Sequence, residues 1–108
     1  MESKRLEVIY YRSKDNLYLN ILPRRPSRMA ETDYDFYICY DWDNSDEIVG
    51  FEWLDFSRYF NAIDDDGVIP DLEMRFDIEG TKLEGLTLKE VLRWAYKRYV
   101  LCLPEPEQ

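Results

Sequence analysis

Leu6, Val8 and Tyr10 fall on one side of an extended segment at 5–11, and Leu17, Leu19 and Ile21 on one side of another at 17–22. A repeat of two is the periodicity of a half-buried strand. Between them, Arg12-Ser13-Lys14-Asp15-Asn16 is polar throughout, so the pair reads as an antiparallel hairpin. Residues 23–28 break the pattern with Pro23, Pro26 and three arginines, and are expected to form an exposed loop. Alternation resumes at 34–41, where Phe36, Ile38 and Tyr40 share a face opposite Tyr37 and Cys39. It returns at 47–54, where Val49, Phe51 and Trp53 lie together. Gly50 in the middle of that strand implies a bulge or a close neighbour. Met74, Phe76 and Ile78 give a fifth strand at 73–78.

The period lengthens in two places. Phe56, Tyr59, Phe60 and Ile63 form a helical stripe, which predicts a short helix over 56–62 with Asp55 as its N-cap. Thr87-Leu88-Lys89-Glu90 has the spacing of a capping box, and the helix behind it is predicted over 88–101. Its buried stripe is Leu88, Val91, Leu92, Ala95 and Tyr99. Trp94 and Leu101 lie seven residues apart on a neighbouring flank, as a wider core contact or as partner-binding residues. These elements predict an α+β fold, an antiparallel sheet of four to five strands with the short helix and the C-terminal helix packed on one face. Residues 1–103 read as a single domain and 104–108 as a frayed tail.

A chain of 108 residues is long enough for one core, and 45% hydrophobic and 16% aromatic residues supply it. The net charge of −9 opposes binding to duplex nucleic acid or to an anionic membrane. The charge is uneven. Residues 28–84 hold 17 Asp/Glu against 4 Lys/Arg, whereas residues 1–27 hold 3 against 6. Two readings of the acidic block remain, self-neutralisation within the fold and a docking face for a basic partner. The beginning of the chain lacks an apolar signal-like run, so a cytoplasmic protein with reduced Cys39 and Cys102 is expected.

The sequence contains no histidine, which removes Ser-His-Asp and Cys-His machinery. Carboxylates are the remaining candidate chemistry. Asp41, Asp43, Ser45 and Glu52 sit at loop positions 1, 3, 5 and 12 of a calcium-loop spacing. Asp46 stands where that loop needs glycine, and the flanks read as strands. A polar hairpin turn is therefore the expectation, with Asp41, Asp43 and Glu52 as the residues a divalent cation would use. The run Trp94-Ala95-Tyr96-Lys97-Arg98-Tyr99 has the aromatic and basic mix of a single-strand binder, but part of it lies on the core stripe.

Two segments carry a family likeness. One is Asp15-Asn16-Leu17-Tyr18-Leu19-Asn20-Ile21, and the other runs from Tyr40-Asp41-Trp42-Asp43 through Ile48-Val49-Gly50-Phe51-Glu52-Trp53-Leu54-Asp55-Phe56-Ser57. Over residues 10–58 the chain resembles a short bacterial family known as domain of unknown function 2283. Phe51, Trp53 and Phe56 stand where that family has aliphatic residues and alanine. The resemblance implies a small β-rich fold and, by association with toxin-like neighbours, an antitoxin-like role.

The expected function is a non-catalytic protein–protein interaction or regulatory module without a cofactor. Its partner is an unknown protein, basic if the acidic block docks it, or a second copy forming a homodimer. Trp94, Leu101, Asp41 and Asp43 are the candidate partner-binding residues. A carboxylate-dependent or divalent-metal-binding enzyme is the alternative.

Overall fold

The computed structural model of the chain describes residues 3–32, 36–58 and 72–102. Six strands form one sheet: β1 Lys4–Tyr11, β2 Asn16–Ile21, β3 Ser27–Glu31, β4 Tyr37–Asp41, β5 Ile48–Trp53 and β6 Phe76–Ile78. They lie in the order β3-β4-β5-β2-β1-β6. Helix α1, Leu88–Ala95, continues into a wider π-helical turn at Tyr96–Val100. The architecture is α+β, as the alternation predicts.

Two features of the sheet depart from the expected four to five antiparallel strands. Residues 27–31 form a strand rather than part of a loop, and all five are exposed. An edge strand washed on both sides needs no apolar alternation, so its sequence carries no strand signal. The second departure is direction, because β6 pairs with β1 in parallel. Given the antiparallel pairs β1–β2 and β2–β5, strands β5 and β6 point the same way. The chain from 54 to 75 is thus a crossover connection, which parallel strands require. Side-chain alternation is the same for either direction.

The covered face collects Leu6, Leu17, Leu19, Phe51, Trp53 and Phe76 beneath Val91, Leu92 and Ala95 of α1. Phe36 stacks on Trp53 with centroids 4.8 Å apart, and Phe76 meets Phe51 edge-on at 6.1 Å. The capping box forms as predicted. Thr87 Oγ1 accepts from the Glu90 amide at 3.1 Å, and Glu90 Oε1 accepts from the Thr87 amide at 2.9 Å.

The turn between β1 and β2 ties this face together. Asp15 takes a left-handed backbone, φ 54°, which aspartate tolerates. Its carboxylate accepts from the Ser57 hydroxyl at 2.6 Å, the Ser57 amide at 3.2 Å and the Tyr10 hydroxyl at 2.6 Å. Its carbonyl accepts from the Phe56 amide at 2.8 Å. The helical residues at 56–58 are therefore capped by Asp15, from 42 positions away in sequence, and not by Asp55. Asp55 itself sits at φ 54°, whereas an N-cap uses the extended region. From the same turn, Arg12 donates to the Tyr99 carbonyl at 3.0 Å, in the last turn of the C-terminal helix. Tyr10 lies between, stacked on Tyr99 at 5.7 Å and edge-on to Phe56 at 6.3 Å.

The β2–β3 loop is also anchored rather than free. Arg25 pairs with Asp41 at 2.9 Å and with Glu47 at 2.6 Å, Arg24 pairs with Glu7, and Arg28 lies over the Trp42 ring at 4.5 Å. The two loop arginines, and Arg28 at the start of β3, are thus occupied internally. The expected helix stripe beyond Phe56, at 59–63, and the tail at 104–108 fall outside the described residues. No helix among the described residues is long and apolar enough to cross a membrane.

Replacing Asp15 with alanine is expected to cost about 1–2 kcal/mol of folding stability, the usual range for a lost cap. Urea denaturation of D15A, S57A and the double variant should show strong non-additivity, since both single changes break the same bonds. The bonds to Ser57 and Tyr10 outweigh burial and hold the Asp15 carboxyl below its ordinary pKa. Its contribution is therefore full above about pH 4 and fades as pH falls through the lowered value. Tyr10 behaves oppositely. Burial, aided by Asp15, pushes its hydroxyl up to about 12, so stability held below pH 10 is lost as pH climbs toward that value. Y10F should flatten the stability profile across that alkaline interval, followed by circular dichroism.

Candidate functional site

The same alternation that fills one face of the sheet sends the intervening residues to the other. The described helical residues pack on the first face, and no described element covers the second. Register places Ile9 opposite Tyr18, Tyr18 opposite Glu52, Glu52 opposite Tyr37, and Tyr37 opposite Glu31. These five side chains therefore form one row across five strands, perpendicular to their direction. The adjacent row is Glu7, Asn20, Gly50, Cys39 and Met29. Tyr11 adds a third aromatic ring, edge-on to Tyr18 at 5.4 Å.

A hollow of about 500 Å³ opens on this face, lined by Ile9, Tyr11, Lys14, Tyr18, Asn20 and Arg24. Its lining is mixed, with Ile9, Tyr11 and Tyr18 beside Asn20, Lys14 and Arg24. Arg24 is oriented by Glu7, which it meets at 2.7 Å.

Gly50 marks the middle of the second row. A Cβ there would stand 2.7 Å from the Leu19 carbonyl oxygen, closer than such atoms ever come. Next to it, Tyr40 opposes Ile48 rather than Val49, so one extra residue bulges β5. The expected bulge and the expected close neighbour are both present.

The electrostatics of the face favour neutral groups. Burial pushes the Tyr18 hydroxyl above its ordinary pKa, with Glu52 adding to the effect and Asn16 opposing it. Burial and the Glu52 charge push the Cys39 thiol up, with Ser27 opposing. A protonated thiol is the less nucleophilic form. Tyrosines with neutral hydroxyls, an amide and an aliphatic side chain offer adaptable contact area and hydrogen bonds.

The carboxylates proposed for a cation do not converge. Glu52 stands opposite Tyr37, whereas Asp41 is four residues further along β4, roughly 13 Å away at strand rise. Asp41 is buried, accepts from the amides of Asp43 and Asn44 at 2.8 and 3.2 Å, and is ion-paired to Arg25. It is the organiser of a hairpin loop, as the flanking strand pattern implies. Asp43 is exposed on that loop. Among the described residues no three cation-binding side chains gather.

Trp94 and Leu101 are also separated. Trp94 packs against the core and meets Tyr99 edge-on at 5.8 Å, whereas Leu101 is 51% exposed. The Leu101 amide bonds the Tyr96 carbonyl five residues back at 3.0 Å. That wider turn rotates Leu101 off the flank a regular helix would give it. Trp94, Tyr96 and Tyr99 are half-buried and pack against the core, which occupies part of each ring. Of the two cysteines, Cys39 is half-buried and Cys102 exposed.

No protein-family model, no curated protein and no solved structure matches this chain. The resemblance over residues 10–58 rests on its two quoted segments alone.

Replacing Gly50 with alanine forces the β2–β5 pair apart at a backbone atom that has no rotamer to move. G50A is expected to lose about 1–3 kcal/mol, the range for overpacking, measured by urea denaturation. An unchanged midpoint would show that the strands can separate there freely.

Proposed function

We propose that this protein is a non-catalytic interaction module that holds a protein partner on the open face of its sheet. One observation carries the reading, the row Ile9–Tyr18–Glu52–Tyr37 with Tyr11 beside the hollow. Tyrosine supplies large contact area at low entropy cost, and interfaces are enriched in it. Most sheets that leave one face to water line it with charged and polar residues. Here three tyrosines, an isoleucine and a methionine stand among Glu7, Asn20, Glu31 and Glu52. The partner would set an apolar group against Ile9, Tyr11 and Tyr18 and an acidic group near Lys14. A regulatory role of the antitoxin type agrees with what the resemblance implies. A protein of the cytoplasm fits two reduced cysteines. Glu52 is a single carboxylate between two tyrosines, an arrangement that serves recognition better than paired acid–base chemistry.

The test is photo-crosslinking in the native host with a reactive aromatic placed at Tyr18, against a control at Lys89 on the helix. Capture of one protein from position 18 and none from 89 is the expected result. With that protein in hand, I9K and Y18A should each weaken binding by about 2 kcal/mol, on the order of 30-fold. Capture only from the helix side would move the interface off this face.

A further inference from the structure

The two edges of the sheet are treated differently. At the β6 edge, Phe76 exchanges two main-chain bonds with Leu86, at 2.8 and 2.9 Å, and the Ile78 amide donates to the Leu83 carbonyl at 3.0 Å. Residues 83–86 thus close that side. Among the described residues nothing comparable lies along β3, the opposite edge.

The direction of the β3 main chain follows from two flanking bonds. The Trp42 amide donates to the Pro26 carbonyl at 3.0 Å, and the Thr32 amide to the Phe36 carbonyl at 3.1 Å. In an antiparallel ladder these bonds bracket Ser27 opposite Asp41 and Glu31 opposite Tyr37 as pairs that do not bond each other. Arg28 and Ala30 therefore bond β4, and the N–H and C=O groups of Ser27, Met29 and Glu31 point away from the sheet. Natural edges are usually guarded by lysine, proline or a bulge. Within Ser27–Glu31 there is none of these, and the one basic side chain, Arg28, is folded back over Trp42 at 4.5 Å. Met29, at the centre, is 53% exposed.

We infer that β3 is a homodimer edge, on which a second copy of this chain pairs its own β3 antiparallel about a twofold axis at Met29. In that register each outward group finds its counterpart. Met29 bonds Met29 of the second copy, and Ser27 bonds Glu31 in both directions, for about six main-chain hydrogen bonds. The charges agree with it. Glu31 faces Ser27 and Arg28 faces Ala30, so no like charges are opposed. Sliding by two residues one way sets Arg28 against Arg28, and either slide loses about two of the bonds. The sequence of the strand is thus complementary to itself in one register. The two sheets join edge to edge, and their open faces become one continuous surface. This inference is independent of the partner proposed for that face.

Sedimentation velocity over a range of concentrations should show the chain moving toward twice its 13.1 kDa mass. Two variants address the edge. M29P removes an outward amide and leaves the β3–β4 ladder intact, and M29K opposes two like charges at the axis. Both should remain folded by circular dichroism and lose the dimer at concentrations where the wild type is dimeric. In a C39S/C102S background, which removes the cysteine opposite Met29 on β4, M29C should crosslink to itself on oxidation. A chain that stays monomeric to several hundred micromolar overturns the inference. So does a dimer that survives both M29P and M29K, which would place it on the open face. Failure of M29C to crosslink while dimers persist would overturn the register. If β3 instead takes up only an added extended peptide, the edge recruits another chain and not a second copy.

Discussion

The carboxylate of Asp15 is the point on which the described structure turns. It sits in a two-strand turn and is held by groups from elsewhere, the hydroxyl and amide of Ser57 and the hydroxyl of Tyr10. A half-buried, charged acceptor with three donors is worth more than a neutral hydrogen bond and is costly to leave unpaired. The bonds to Ser57 and Phe56 fix where the crossover after β5 begins its helix. Arg12, three residues earlier, fixes where the C-terminal helix ends. One turn therefore sets both helical boundaries over the covered face, and Tyr10 fills the space between them.

With that face closed, the other is left to water, and its chemistry becomes the functional question. A sheet has no means of hiding both faces with helices on one side only. The open side would be unremarkable if it were lysine and glutamate. Tyr18 on β2 and Tyr37 on β4 flank Glu52 by register, and Tyr11 on β1 meets Tyr18 edge-on. Gly50 excludes a side chain for a steric reason of its own, the nearby Leu19 carbonyl, and the face is lowered there as a consequence. Acidic residues that looked like a cluster in sequence are spread by the same geometry. Asp41 is consumed by its loop and Arg25, and Glu52 stands alone among aromatics.

Much of this was legible in the chain. Alternation located β1, β2, β4, β5 and β6 to within a few residues, and the capping box located the start of α1. The open-face tyrosines were legible too, since Tyr11, Tyr18 and Tyr37 occupy the positions between the core residues. Reading a strand for its buried side passes over them. Strand β3 was not legible, because five exposed residues at an edge carry no period. The cap at residue 56 was misread as Asp55, because capping pattern is local and Asp15 acts through space.

The sequence by itself determined the class of fold, which residues are buried, and that no imidazole takes part in any chemistry. Those properties depend on the type and spacing of neighbouring side chains, so they are written along the chain. The tertiary structure alone decided the direction of β6, the pairing of Asp15 with Ser57, the row of tyrosines across the sheet and the bare edge at β3. Each of these depends on which distant segments lie side by side, and a hydrophobic period of two is blind to that choice.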